Sequence, residues 1–460
     1  MVFLRKPSIF IVGAVVLSAV LLQGGNGILT IIVPLRMTEA GLPTTDVGFV
    51  GTGYAIGFLI GCVFATGLVR TVGHIRAYAA LAAVMGTGIL ALTIDTNVFL
   101  YAGVRAATGF CMAGLTTVIE SWINERTPAE SRGNVLSIYM VITKGALAVG
   151  PLMLGYGDVE GPDFLMVICA FFSMSLVPMA LTRGPSPQLP PLKRLGVVTL
   201  YKIAPAAIVG CVAIGLVNGA VISLVPTYAS SIDLSPATIA VIMAGMQLGG
   251  LAMQWPLGWI SDRMDRRLII AFAALAVTVL SIGVTLAGSL PEVVQIILFS
   301  AWGGVAFSIY AICVSHAADR APLDLMVAMS SSLLLAWAAG AVVGPTVASF
   351  MMTVIGPAGL FYYASSVMIC LLAFVLVRTR LRRAEPKEKK QDFVGLPASS
   401  PVIQQMDPRM HDAIDASSIH QGRNTARDPD EQPDLTDYDD GGYNDSPAVD
   451  LNPETDDPEK

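Results

Sequence analysis

The chain has 460 residues, 54% of them hydrophobic and 13% charged, and a mean hydropathy of +0.66. So few charges cannot solvate so much apolar surface, which excludes a soluble enzyme. The formal charge of −6 hides two materials: residues 384–460 hold 19 acids against 7 bases, while residues 1–383 hold 15 acids against 21 bases.

Twelve stretches are long and apolar enough to cross a bilayer, which takes about 20 residues. They run 8–34, 46–69, 77–94, 98–122, 134–156, 162–181, 203–228, 236–260, 268–288, 292–314, 327–352 and 357–378. Arg5 and Lys6 give the first the look of a signal peptide, but its length and the pattern after it make it a span. Twelve crossings put both termini on one side. With that side cytoplasmic, fourteen basic loop residues from Arg5 to Arg320 and seven more from Arg378 to Lys390 lie inside, against Arg36 alone in an outer loop. Cys62, Cys111, Cys169, Cys211, Cys313 and Cys370 fall within spans and read as small apolar packers.

The chain also repeats itself. Shifted by 192 residues, Asn26, Gly27 and Pro34 fall on Asn218, Gly219 and Pro226, and Gly53 and Gly57 fall on Gly245 and Gly249. Shifted by 194, Gly109 falls on Gly303, and the pair Gly150, Pro151 falls on Gly344, Pro345. The expected fold is therefore all-α: a polytopic membrane protein of twelve transmembrane helices in two parallel-repeated six-helix bundles, residues 1–182 and 203–383. Residues 183–202, with Pro185, Pro187, Pro190 and Pro191, form a semi-rigid cytoplasmic linker. Parallel halves are the plan of rocker-type transporters, in which a site between the halves opens to each side in turn. Residues 384–460 are too poor in aromatic residues to fold alone and are expected to be a disordered acidic cytoplasmic tail, either a solvated appendage or a docking segment. Its Lys387 to Lys390 stretch is placed to lie against anionic lipid.

Two cations sit inside spans. Arg105 is eight residues beyond Asn97 and Lys144 ten beyond Asn134, so they lie roughly 12 and 15 Å into the bilayer at 1.5 Å per residue. Facing lipid, either would cost about 2.5–3.5 kcal/mol, so both are expected to face the interior or a wet cleft. No acid lies at their depth. An unbalanced pair of cations in a low dielectric attracts an anionic solute; packing against carbonyls of a neighbouring span is the other reading of Arg105. Asn26 and Asn218 each stand eight residues before a proline, at the depth of Arg105, and either bond between helices or join its polar layer. Glu120 continues the helical face of Arg105 to the inner end of the fourth span. There it takes a proton from the cytoplasm, closes an inner gate against Arg132, or is simply a solvated helix end. Walker loops, metal-spaced histidines and nucleophile elbows are missing, so no cofactor, metal site or ATP-driven step is expected.

Gly258, Asp262, Arg263, Arg266 and Arg267, between spans eight and nine, resemble the loop motif of the major facilitator superfamily; the first copy is degraded to Gly67, Gly73 and Arg76. Arg105 with Gly109 resembles that family's second motif, and Gly145, Gly150, Pro151 and Gly155 resemble part of its exporter motif. Glu120, Ser121, Trp122 with Gln254, Trp255, Pro256 looks like a bacterial branch of permeases without assigned substrates. The resemblance covers about residues 8–380. It implies that spans one, four, seven and ten line a central cavity, which puts Asn26, Arg105, Asn218 and Trp302 in one layer. It also implies that the Asp262 cluster latches the inner ends of the two halves when the outside is open. The expected activity is secondary transport of a small solute, an organic anion by preference, coupled to protons. Two alternatives are a multidrug/proton antiporter and, from another class, a non-transporting sensor that signals through the tail. The expected partners are a small-molecule substrate, membrane lipid and protons, with no nucleic acid, for a monomer in a bacterial inner membrane with both termini cytoplasmic.

Overall fold

The computed structural model describes residues 6–182, 187, 195–322, 325–381, 390 and 393–403. Every regular element among the described residues is helical: α1 Lys6–Glu39, α2 Thr44–Val72, α3 His74–Ala91, α4 Val98–Arg126, α5 Arg132–Val149, α6 Asp163–Ala180, α7 Val197–Ile203, α8 Pro205–Ser230, α9 Pro236–Arg263, α10 Arg266–Leu286, α11 Glu292–Ala318, α12 Met326–Ile355 and α13 Gly359–Leu381. All except the seven-residue α7 are long and apolar enough to cross a membrane. A helix suits that setting because it satisfies its own backbone where no water can. Apart from Pro187, the prolines of the expected linker lie outside the described residues, as does the tail beyond Ile403.

Local chemistry sets the helix ends. The Asn97 carboxamide accepts from the backbone of Phe99 and Leu100 at the start of α4, Ser235 caps α9 and Asp265 caps α10. The fifth span departs from its expected form, since α5 ends at Val149 and the chain tightens into a 3-10 helix over Gly150–Tyr156. Pro151 has no N–H to return to the Leu147 carbonyl, so the α ladder stops there. That carbonyl instead lies beside Gly27 of α1.

The repeat is visible as the same contact made twice. A methyl on Gly57 would meet the backbone of Ala106 in α4, and one on Gly109 would meet Tyr54 in α2. The matching glycines, Gly249 of α9 and Gly303 of α11, lie against Ser300 and Met246. Gly27 lies against Leu147 and its counterpart Gly219 against Ala341, 194 residues further on. Each half thus packs its helices backbone to backbone at equivalent places.

The terminal side is the face of the bundle where α1 begins and α13 ends, and the far side is the opposite face. On the far side the halves are closed on each other. Thr38 of α1 donates to Thr227 of α8 at 3.1 Å; Thr52 of α2 donates to the Val342 carbonyl at 3.0 Å and stands 2.8 Å from the Thr346 hydroxyl of α12. Gly48 and Gly51 leave room there for Ser349 and Ser223. Outward-facing apolar residues, such as Phe272, Leu275, Val279 and Leu286 along α10, are exposed as a lipid-facing surface should be.

Candidate transport cavity

Between the halves lies a cavity of about 270 Å3, walled by α1, α2, α4, α5, α8, α9, α11 and α12. The structure brings four of the expected residues to its wall: Asn26, Arg105, Lys144 and Asn218. Arg105 is 7% exposed, with its guanidinium carbon 4.4 Å from the centre of the Tyr54 ring. The ring face holds the cation, an attraction of about 0.5–2 kcal/mol, and leaves Nη1 without a hydrogen-bond partner among the described residues. Lys144 is half-buried on another wall element, α5, and forms no ion pair among the described residues. The Asn26 amide donates weakly to Gln23 at 3.5 Å, while its carbonyl oxygen and that of Asn218 have no partner among the described residues. Buried polar atoms of this kind are costly unless something meets them, so the wall is built to receive a polar solute or water.

Trp302 is not in that layer. Its indole N–H donates to the Ser281 hydroxyl of α10 at 2.8 Å, and its ring packs edge-on to Phe361 of α13 with centroids 6.2 Å apart. A buried indole needs an acceptor, and Ser281 supplies one on the side of α11 away from the cavity. Residues that the sequence reading passed over take its place: Tyr54, Gln247, Tyr310 and Trp337 line the cavity, and the Gln247 carbonyl, the Tyr310 hydroxyl and the Trp337 N–H lack partners among the described residues. Gln247 carried the same signal as the asparagines, an amide in an apolar span.

Towards the terminal side the cavity narrows to Glu120, which is fully buried. The expected gate against Arg132 is not formed: among the described residues Arg132 makes no ion pair with Glu120. Tyr139 donates to Oε1 at 3.3 Å, Ser399 donates to the same oxygen at 2.6 Å, and Ser400 donates to Oε2. Ser399 and Ser400 belong to the expected disordered tail, yet Phe393–Ile403 is packed into this mouth, and Leu396 to Ser399 form part of the cavity wall.

The Asp262 cluster, expected to latch the halves when the outside is open, makes the following contacts in the present arrangement. Asp262 pairs with Arg266 at 3.1 Å, and Arg266 reaches on to Asp319 at 2.6 Å and to the Ser261 hydroxyl at 3.0 Å. Arg267 pairs with Asp265 at 2.7 Å and donates to the Arg378 carbonyl, while Arg263 stacks on Trp259 at 3.7 Å. These contacts join α9, α10, α11 and α13, all in one half. Burial alone would raise the Asp265 carboxyl, but the side-chain and backbone bonds from Arg267 outweigh it and hold the group below its ordinary value. The cluster also meets the tail segment: Phe393 N–H donates to Asp262 Oδ2 at 3.2 Å, and the Phe393 ring fills the space that a side chain at Gly258 would occupy.

The model of the Major Facilitator Superfamily matches residues 15–337. The chain belongs to that superfamily. It is 26% identical over 359 residues to "Uncharacterized MFS-type transporter YcaD" of Escherichia fergusonii, a match covering 78% of this chain and 91% of that protein. Among solved structures, the nucleoside transporter NupG aligns with a TM-score of 0.68 at 12% identity, over 82% of this chain and all of its own. A bacterial homologue of the human lysosomal transporter Spinster, inward-facing and occupied, aligns with a TM-score of 0.64 at 15% identity, over 84% of this chain and 99% of its own. The structural likenesses establish the fold, and the family makes this superfamily member a multi-pass secondary transporter.

Proposed function

We propose that this transporter carries a small organic anion between its halves by alternating access. The observation that supports the reading is the pairing of Arg105 and Lys144 on the wall of one cavity with no carboxylate bonded to either among the described residues. Positive charge in a site shielded from water draws an anion more strongly than it would at a surface. The terminal side is cytoplasmic, because the basic loop residues collect there. Glu120, on the cytoplasmic part of the wall, is the acid placed to couple the cycle to protons. A multidrug/proton antiporter is the second reading, favoured by the adaptable apolar wall of Met112, Met140, Met243, Phe58 and Phe307.

The test is a thermal-shift screen of the purified protein against mono- and dicarboxylates, neutral solutes and lipophilic cations. A ligand present at about 100 times its Kd stabilises by about 2.7 kcal/mol. Carboxylates are expected to raise the melting temperature of the native protein and to lose that effect in Arg105→Gln and Lys144→Gln. A shift given by lipophilic cations but by no anion favours the antiporter, and anion shifts that survive both substitutions end the anion reading.

A further inference from the structure

The segment that closes the cytoplasmic mouth is part of the same chain. Phe393–Ile403 follows α13 by eleven residues, a tether of at most about 40 Å when extended, and lies against both halves at once. On the second half, Phe393 sits over Gly258, its N–H bonds Asp262, and Gly395 lies against the Gln254 side chain. On the first half, Ser399 and Ser400 donate to Glu120, and the Thr116 hydroxyl donates to the Ser399 carbonyl at 3.3 Å. Between them Ala398 packs on the small cluster of Phe58, Cys62, Ala113, Leu334 and Ala338, which itself joins α2 and α4 to α12. Leu396, Ser400, Val402 and Ile403 are each 1% exposed or less. This is the burial of a docked ligand rather than of a solvated tail.

We propose that the mouth of the cavity is a binding site for residues 393–403 of this chain, and that the bound segment acts as a strap that blocks access to the cavity and holds the halves in their present arrangement. Two consequences follow from the geometry. Leu396 to Ser399 occupy the cavity wall, so a solute arriving from the cytoplasm and the strap exclude each other. The strap also fills the gap that the halves must close when the far side opens, so it has to leave before they rock. A tethered peptide competes at millimolar effective concentration, which is ample for a reversible block. Glu120 anchors it because a buried carboxylate without donors is costly and the strap brings two hydroxyls to it.

The experiment measures access to the cavity and needs no substrate, so it succeeds or fails apart from the anion reading. Met140→Cys, on the cavity wall, is introduced with the six native cysteines replaced by alanine and is labelled in detergent with a bulky maleimide. If the strap covers the mouth nine-tenths of the time, deleting residues 384–460 speeds labelling about tenfold. Deleting only 404–460 leaves it slow, and Ser399→Ala with Ser400→Ala gives an intermediate rate. Equal rates with and without 384–460 overturn the proposal. A second measurement in the full-length chain guards against a truncated protein that fails to fold: Gln254→Cys with Gly395→Cys, where a Cβ at 395 would stand 3.5 Å from Gln254 Cγ, is expected to form a disulfide under mild oxidation, and an absence of cross-link also overturns it.

Discussion

The backbone-to-backbone contacts between α2 and α4 give a prediction whose size can be read from the structure. A methyl added at Gly57 would stand 2.6 Å from the carbonyl carbon of Ala106 and 2.9 Å from its Cα, where ordinary contact needs 3.4–4 Å. Both obstacles are backbone, so the helices must part by roughly 1 Å, a gap that forfeits a quarter to a half of each dispersion contact along the interface. Gly57→Ala is expected to destabilise by about 1–3 kcal/mol, the usual cost of overpacking. Gly249→Ala, at the equivalent place in the second half, meets the Ser300 carbonyl carbon at 3.0 Å and the Gly304 nitrogen at 3.3 Å, so it is expected to cost less. Gly67 in α2 and Gly145 in α5 have nothing within 4 Å of the added methyl. There the change removes a flexible residue from a helix and is expected to stabilise by about 0.5–1 kcal/mol. Thermal unfolding of the four purified variants by intrinsic fluorescence gives the order. Gly57→Ala as stable as the parent, or Gly67→Ala as damaging as Gly57→Ala, would refute the account of how the halves are built.

Other outcomes follow from the site. On the proposed anion reading, replacing Arg105 by alanine removes a charge-assisted contact of about 1.5–3 kcal/mol, so anion affinity measured by calorimetry is expected to fall by roughly ten- to a hundredfold. Trp302→Phe loses the Ser281 bond and is expected to lower stability by about 1 kcal/mol while leaving ligand affinity unchanged; a large loss of affinity would return Trp302 to the cavity wall. Thr52→Cys with Thr346→Cys, whose parent hydroxyls are 2.8 Å apart, is expected to cross-link on oxidation and to stop flux in proteoliposomes, with flux restored by reductant. Asp265 has its carboxyl held below the ordinary 3.8, so its contribution is complete above that value and is lost as pH falls through the lower folded value. Acid unfolding of Asp265→Asn, followed by circular dichroism, is expected to show a correspondingly weaker pH dependence in that window.

Much of the fold was legible because a bilayer imposes a length and a polarity that soluble packing does not. Twelve apolar stretches announce twelve crossings, and Arg105 and Lys144 had to turn inward because lipid gives a charge nowhere to go. The faces of the most buried helices were less legible. α11 is apolar nearly all round, so it was the resemblance, with span ten lining the cavity, that put Trp302 beside Asn218, whereas the choice of face was made by a serine on another helix. The same reasoning missed Tyr54 and Trp337, whose types occur as readily in packing as in a cavity wall. The strap was hidden by averaging. Between Lys390 and Gln404 the chain reads Phe393, Val394, Leu396, Pro397, Ala398, Val402 and Ile403, a local apolar run that the surrounding acids dilute.

The far-side closure has a different character from the joints inside each half. Within a half, glycine lets main chain touch main chain, and such joints have no alternative partner to slip to. Across the seam, Thr38, Thr52, Thr227 and Thr346 meet through hydroxyls, which trade one acceptor for another, or for water, at little net cost. Stiffness and compliance are therefore laid out along different lines of the molecule. Opening this seam asks its alcohols to change partners, while the glycine joints within each block keep that block's shape.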